Sequence, residues 1–228
     1  MIANKKKFYS GLGLMATFVV VLVIVFSPVF NGQNGLAYLD ALYNSISKGS
    51  ANYIPKLREE VQPLGGNTVN LTLPLNSEKQ AEQTSILFQK SGAMTNVSGS
   101  TLNVSGDLGR ILQNCLDDTD AMYTNDGQTV ANKYGYDEKQ VLFNWWTAAK
   151  EMDKDLKKQK KFKEAESVST VNKKAVETSY NYYKIEPQKI SDRYGIVIFS
   201  LIFYVLYTIW YGFAFMYMFE GWGMKLEH

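Results

Sequence analysis

The stretch from Tyr194 to Phe219, YGIVIFSLIFYVLYTIWYGFAFMYMF, constrains this chain more than any other. It carries no charge over about 26 residues, enough to cross a bilayer with some tilt. At least ten of those residues are aromatic, more than a lipid-facing span requires. A second apolar run, Gly11 to Phe30, lies near the other end. Two spans put everything between them on one side of a membrane. The expected division is therefore a cytoplasmic N-terminus (1–10), a first transmembrane helix (11–30), an extracytoplasmic domain (31–192), a second transmembrane helix (194–219) and a short cytoplasmic tail (220–228).

Orientation rests on Lys5, Lys6 and Lys7, because basic residues beside a span stay on the cytoplasmic side. The first run resembles a signal sequence but has no small-x-small cleavage site before Asn31, so it reads as an uncleaved signal anchor. The expected location is the inner (plasma) membrane, both termini cytoplasmic, with residues 31–192 periplasmic. The last residues, Leu226 to His228, resemble an expression-tag remnant.

Two counts restrict the chemistry. Cys115 is the single cysteine and His228 the single histidine. An intrachain disulfide, a c-type haem motif, a multi-cysteine zinc site and an imidazole-based triad or pH switch within 31–192 are thereby excluded. The net charge of +2 gives no reason to expect a nucleic-acid partner.

Along the chain, Leu36, Leu39, Leu42, Tyr43 and Ile46 recur at helical spacing and predict an amphipathic helix continuing out of the membrane. Pro55 suits the first turn of another helix, which Gly65-Gly66 ends. Val69, Leu71 and Leu73 alternate with polar residues, as in a strand. Ser77 caps a helix with Ala81, Thr84, Ile86, Leu87 and Phe88 on its apolar side. The repeated Asn-Val-Ser-Gly units at 96–99 and 103–106 predict two short strands around Gly99-Ser100, or one strand and a loop. Leu108, Ile111, Leu112, Cys115 and Leu116 then share a helix face. This order predicts a small α+β module (67–120) set among long helices, giving a mainly α chain with an α+β ectodomain. From Asp137 onward, Leu142, Trp145, Ala149, Met152 and Leu156 form a seam that demands a partner helix. Ser167-Val168-Ser169 is expected to interrupt the lysine-rich helix that follows, and Pro187 to break the chain before the second span.

Few residues stand out as sites. Asp117, Asp118 and Asp120 are the densest acids and the candidate metal ligands, but they lack calcium-loop spacing and read better as a solvated helix end. The glycines of the repeated units match no phosphate loop, and turn chemistry accounts for them. Asn70, Asn96 and Asn103 are formal glycosylation acceptors. The lysines from 150 to 163 are interleaved with acids and read as a solvated face. Trp145 falls in the seam, whereas Trp146 beside it is the candidate exposed aromatic. Tyr204, Tyr207 and Tyr211 lie on one face of the second span at steps of three and four, a candidate interface, because hydroxyls in hydrocarbon need partners. Cys115 reads as a buried small hydrophobe.

The outline of span, helical ectodomain and span resembles the receptor half of bacterial chemoreceptors in topology alone, with about nine residues after the second span in place of an output domain. It also resembles that of polysaccharide co-polymerases, without the proline-rich pattern expected at their second span. The expected function is a non-catalytic membrane subunit or self-assembling scaffold. It has no cofactor, and its partners are the lipid bilayer and a membrane protein or further copies of itself. The alternative is a sensor or solute-binding ectodomain that signals through a partner. An enzyme ranks last.

Overall fold

A computed structural model describes residues 2–30 and 32–224. Its elements are mostly helical, with a small three-stranded antiparallel sheet. The expected tag remnant, with His228, and Asn31, before which the sequence has no cleavage site, lie outside the described residues. The chain divides into two compact units, residues 1–49 with 187–228, and residues 50–186.

In the first unit, α1 (Lys5–Phe26) and α10 (Tyr194–Trp222) are long and apolar enough to cross a membrane, with mean hydropathy of 2.4 and 2.0. Only 11% and 6% of their most apolar windows are buried by the chain itself, unlike a soluble core helix. α1 begins six residues before its expected start but ends short of residue 30, and α10 runs three residues past its expected end. Asn4 caps α1 by accepting the Lys7 N–H at 3.1 Å, which draws the three lysines into its first turns. Pro28 ends it early: the preceding Ser27 is extended, with φ −81° and ψ 148°, so the helix stops at Phe26 and not at residue 30. α10 runs on to Trp222, where Gly223 turns left-handed at φ 93°.

The two helices pack antiparallel. Residue numbers fall along one as they rise along the other: Lys7 Nζ meets Glu220 at 2.6 Å, Trp210 Nε1 donates to the Leu14 carbonyl at 3.1 Å, and the Phe18 and Tyr207 rings stack at 4.3 Å. Close approach requires Gly11, where a Cβ would fall 2.8 Å from the Ala214 carbonyl oxygen. The amphipathic helix after the first span, α2 (Gly35–Ser50), is a separate helix and not a continuation of α1, because α1 ends at Phe26, where Ser27 is extended. It is tied to the start of α10 by Tyr43 and Ser200, whose hydroxyls lie 2.6 Å apart.

The second unit begins with α3 (Ile54–Val61), which has proline in its first turn, as expected. The strands β1 (Thr68–Pro74), β2 (Met94–Ser98) and β3 (Thr101–Asp107) form a sheet of order β1-β3-β2, all antiparallel. Gly99-Ser100 makes the predicted two-residue turn, with Gly99 at φ 58°. One sheet face carries Val69, Leu71, Leu73, Leu102 and Val104, all buried. α4 (Glu78–Lys90), capped by Ser77, and α5 (Leu108–Tyr123), capped by Asp107, pack on this side. The hydrophobic core is continuous from Ile54 to Tyr183, so residues 67–120 share it with the helices around them.

A short helix escaped the sequence reading: α6 (Gly127–Tyr134), capped by Asp126 and ended by Gly135 at φ 78°. α7 (Glu138–Lys158) carries the seam, and Leu142, Trp145, Ala149, Met152 and Leu156 are all buried. The partner helix that this seam demands comes from within the chain, because α4 and the following α8 pack on it together with β1. The acids of the lysine-rich segment do more than offset charge. Asp155 accepts the Thr72 N–H at 3.1 Å and Gln159 donates to the Asn70 carbonyl at 2.8 Å, which covers the open edge of β1.

The expected break at Ser167–Ser169 is also corrected. The chain turns at Lys160, φ 61°, and α8 (Phe162–Val171) runs through those serines with Val168 buried. The Ser167 hydroxyl donates back to the Lys163 carbonyl at 3.1 Å, so it does not compete for the helix. A π-helical turn at Asn172–Val176 joins α8 to α9 (Glu177–Tyr182). Pro187 lies in the irregular stretch before α10, as expected.

Asp107 sets a pH dependence. Its carboxylate accepts N–H bonds from Gly66 at 2.7 Å and Arg110 at 3.1 Å, and these hold its pKa below the ordinary value of 3.8. The unfolded chain therefore binds the proton more readily, so this stabilisation is full above the ordinary carboxylate range and is lost as pH falls through the lowered pKa. Asp107→Asn keeps a capping acceptor without the charge. It should cost about 1 kcal/mol or less at pH 7, the site being partly exposed. It should also make the decline in unfolding temperature between pH 5 and pH 2 shallower in a pH series of thermal melts.

Candidate functional site

The three candidate aspartates do not converge. Asp117 and Asp120 both pair with Arg58 of α3, the latter at 3.2 Å, and lie on the outer side of α5. Asp118 points the other way and is 2% exposed. It accepts three hydrogen bonds: Trp145 Nε1 of α7 at 2.7 Å, the Tyr134 hydroxyl of α6 at 2.6 Å and Lys133 Nζ at 2.7 Å. Lys133 also donates to Asn114 at 2.6 Å. The reading of this segment as a solvated helix end is thus corrected for Asp118, and no group of three or more ligating side chains suited to a metal occurs among the described residues.

The misreading has a legible cause. Ile111, Cys115, Asp118 and Met122 follow at steps of four, three and four, which places Asp118 on the buried stripe of α5. Its acidity, set between Asp117 and Asp120, masked that periodicity. Burial raises the Asp118 carboxyl pKa, and the bonds from Lys133, Tyr134 and Trp145 work against that shift. Cys115, one turn away, is buried as expected, and burial pushes its thiol pKa well up, away from reactivity.

Trp146 lies where the sequence placed it, beside the seam and partly exposed. Its indole N–H donates to Glu177 at 2.9 Å, its ring stacks with that of Phe143 at 5.8 Å, and Lys150 Nζ sits 4.1 Å from its centre. Phe143, Trp146 and Glu177, with Leu142, Val176, Tyr180 and Asn181, line a hollow of about 370 Å³ between α7 and the π turn with α9. Phe143 also borders a second, polar hollow of about 650 Å³ lined by Asn76, Gln80, Gln83, Tyr136 and Gln140.

Glu138, at the start of α7, accepts the Tyr183 hydroxyl at 2.8 Å. That bond crosses Gly127, where any Cβ would collide with the tyrosine ring, so the glycine is required for the approach. Its own backbone N–H and Tyr183 hold the Glu138 carboxyl below the usual range, while burial and Glu138 push Tyr183 up to about 12.

The three tyrosines of the second span separate. Tyr207 and Tyr211 face Phe18 of α1, at 4.3 and 5.3 Å, so part of the proposed interface lies within this chain. Tyr204 points away and is 68% exposed. The two Asn-Val-Ser-Gly units form the hairpin, with Asn103 accepting from Thr72 across the sheet at 3.1 Å, and serve as turn and strand. No protein-family model, curated protein or solved structure matches the chain, so its functional reading stands on its own residues.

The Asp118 cluster predicts an asymmetry between the adjacent tryptophans. Trp145→Ala removes a buried ring and a donor, and should destabilise residues 50–186 by about 3–5 kcal/mol in denaturant unfolding. Trp145→Phe keeps most of the volume but deprives Asp118 of a donor, at about 1–3 kcal/mol. Trp146→Ala should cost clearly less than Trp145→Ala.

Proposed function

We propose that this protein is a non-catalytic subunit or self-assembling scaffold of a membrane complex. It is anchored by α1 and α10, with both termini cytoplasmic and residues 31–192 outside as an interaction domain. One observation carries the reading: the rings of α10 that α1 leaves uncovered. Phe199, Tyr204 and Phe213 are exposed at positions spread around the helix, and Tyr204, deep in the span, is 68% exposed. Lipid tails reward leucine as well as they reward these rings, and a phenol hydroxyl deep in hydrocarbon needs a partner. A partner helix, from a second copy or another subunit, supplies both. The buried acid Asp118 is engaged with three donors inside the fold, in keeping with a structural use.

A second reading, a solute-binding ectodomain that signals through a partner, is favoured by the paired hollows along α7.

Orientation is tested by single cysteines. The native Cys115 is buried and should stay silent. A membrane-impermeant thiol reagent should label Ser100→Cys, in the exposed hairpin turn, in cells with the outer barrier opened, and should miss Lys6→Cys. Reversed labelling overturns the orientation. Assembly is tested by the size of the complex released in mild detergent. Tyr204→Leu with Phe199→Leu should shrink it, since Tyr204 loses an interhelical hydrogen bond worth about 0.6–2 kcal/mol and both positions lose ring packing. Tyr207→Leu, which faces Phe18, should instead loosen the α1–α10 pair. An unchanged size in the double variant reduces α10 to a plain anchor.

A further inference from the structure

We propose that the turn between α7 and α8, residues 157–163, is a lipid-docking tip. It binds the anionic headgroups of a second bilayer, apposed to the one that holds α1 and α10, with the ring of Phe162 set among them. This rests on the membrane anchoring of the proposed function and adds a partner to it.

The turn reads KKQKKFK, five lysines in seven residues with no acid. Acids answer the lysines that lead up to it: Lys154 pairs with Glu151 at 2.6 Å and Lys157 with Asp153 at 2.8 Å. The interleaving stops there. Lys158, Lys160, Lys161 and Lys163 make no ion pair among the described residues. All of them but Lys161 are exposed. The flanking acids are occupied, Asp155 by the Thr72 N–H and Gln159, Glu164 by Asn67. Glu60 and Glu166 border Lys163 on the α3 side, with Glu60 paired to Lys56 at 3.7 Å. Lys157 and Lys158 close the last turn of α7 and also answer its dipole, but Lys160, Lys161 and Lys163 lie beyond it.

The ring selects a bilayer over a soluble polyanion. Phe162, the first residue of α8, is 63% exposed in the middle of these lysines. A chain of phosphates or sulfates needs charge alone. A bilayer rewards both groups, because its headgroups attract the ammoniums while the acyl boundary takes up an apolar ring. The turn is also held in shape. Lys160 is left-handed at φ 61°, a conformation that glycine or asparagine adopts more cheaply, and the Lys161 N–H donates to the Leu156 carbonyl at 2.9 Å. Leu156 and Ala165, on either side, are fully buried, so the lysines and the ring stand on a fixed base.

Position within residues 50–186 selects the bilayer. The chain enters and leaves this unit at one end: Tyr53, beside the entry, and Tyr182, beside the exit, both neighbour Tyr123 at the end of α5. The exit also lies against the start of α7, where Tyr183 donates to Glu138 at 2.8 Å. α7 has 21 residues, which sets the 157–163 turn about 30 Å away along its axis. The lysine-rich turn therefore stands at the pole of the unit opposite both chain connections. A contact made there reaches a surface other than the one to which the connections lead.

The test uses the full chain in nanodiscs of zwitterionic lipid, mixed with separate vesicles and followed by flotation. Entry into the discs is read first and tests the anchoring; a chain that stays out of them removes both proposals. The loaded discs should float with vesicles containing about 30% phosphatidylglycerol and not with pure phosphatidylcholine, and about 0.5 M salt should release them. Each lysine near an anionic surface is worth about fivefold in affinity, so Lys158→Gln, Lys160→Asn and Lys163→Gln together should weaken binding at least tenfold. Phe162→Ala should weaken it severalfold. The same charge removed at the opposite pole, by Lys139→Gln, Lys174→Gln and Lys184→Gln, should leave affinity within about twofold. Thermal melts check that each variant folds, and the salt series on the unaltered chain serves should one fail. Absence of flotation with anionic vesicles, equal flotation with neutral ones, or indifference to the tip lysines overturns the proposal. Displacement by inorganic polyphosphate together with indifference to Phe162→Ala overturns lipid as the occupant. A polarity-sensitive dye on Phe162→Cys that shifts to the blue in anionic discs without added vesicles overturns the second bilayer.

Discussion

The unit formed by residues 50–186 depends on one buried carboxylate. Asp118 receives the indole N–H of Trp145, the hydroxyl of Tyr134 and the ammonium of Lys133, and so ties α5, α6 and α7 together. A buried charge is tolerated only when its lone pairs are filled, and removal of one partner leaves a cost that hydrophobic contacts nearby do not recover. Geometry around the cluster follows from this. α6 is short and has little apolar surface of its own, yet it is held against α5 because Lys133 and Tyr134 both end on Asp118. The orientation of α7 is set in the same way, since the ring of Trp145 fills the core beside Phe88 while its nitrogen reaches the acid.

That orientation decides what α7 shows to solvent. With Trp145 turned inward, Phe143 and Trp146 are turned outward, and Asp155 and Gln159 are brought over the edge of β1. One helix therefore closes the core, covers an otherwise open sheet edge and presents the Phe143–Trp146 pair. The π turn on the opposite side widens the helix by one residue and sets Val176 and Glu177 on the hollow beside that pair. The membrane unit is organised by a different constraint. Small residues at Gly11 and Gly221 let α1 and α10 approach backbone to backbone, and the Lys7–Glu220 pair closes one end. Phe18 takes up two of the three tyrosines, leaving Tyr204 outward.

Wherever a residue's neighbours in sequence determine its surroundings, the one-dimensional pattern was sufficient. The apolar spans, the alternation of Val69, Leu71 and Leu73, the caps at Ser77 and Asp137, the turn at Gly99-Ser100 and the breaks near Pro55 and Pro187 all follow from local sterics and periodicity. The helix limits near Pro28 and Trp222 moved by a few residues because capping, not hydropathy, ends a helix. Tertiary contacts decided the rest. Ser167–Ser169 stayed helical because Val168 had a core to enter, while Lys160 took the turn. The seam of α7 looked unpartnered only because its partners, α4 and β1, lie more than fifty residues earlier in the chain.

The sequence by itself determined that this protein has two runs long and apolar enough to cross a membrane, a mainly helical region between them, and a single cysteine and a single histidine. Those conclusions need only counts, lengths and periods. Only the tertiary structure decided that Asp118 is a buried hub and not a member of a surface acidic cluster, and that Trp146 and Phe143 share a hollow with Val176 and Tyr180. The physical reason is the same in both cases. A hydrogen bond or a stacked pair joins atoms a few ångströms apart, and residues 118, 133 and 145 are near one another only after the chain has folded.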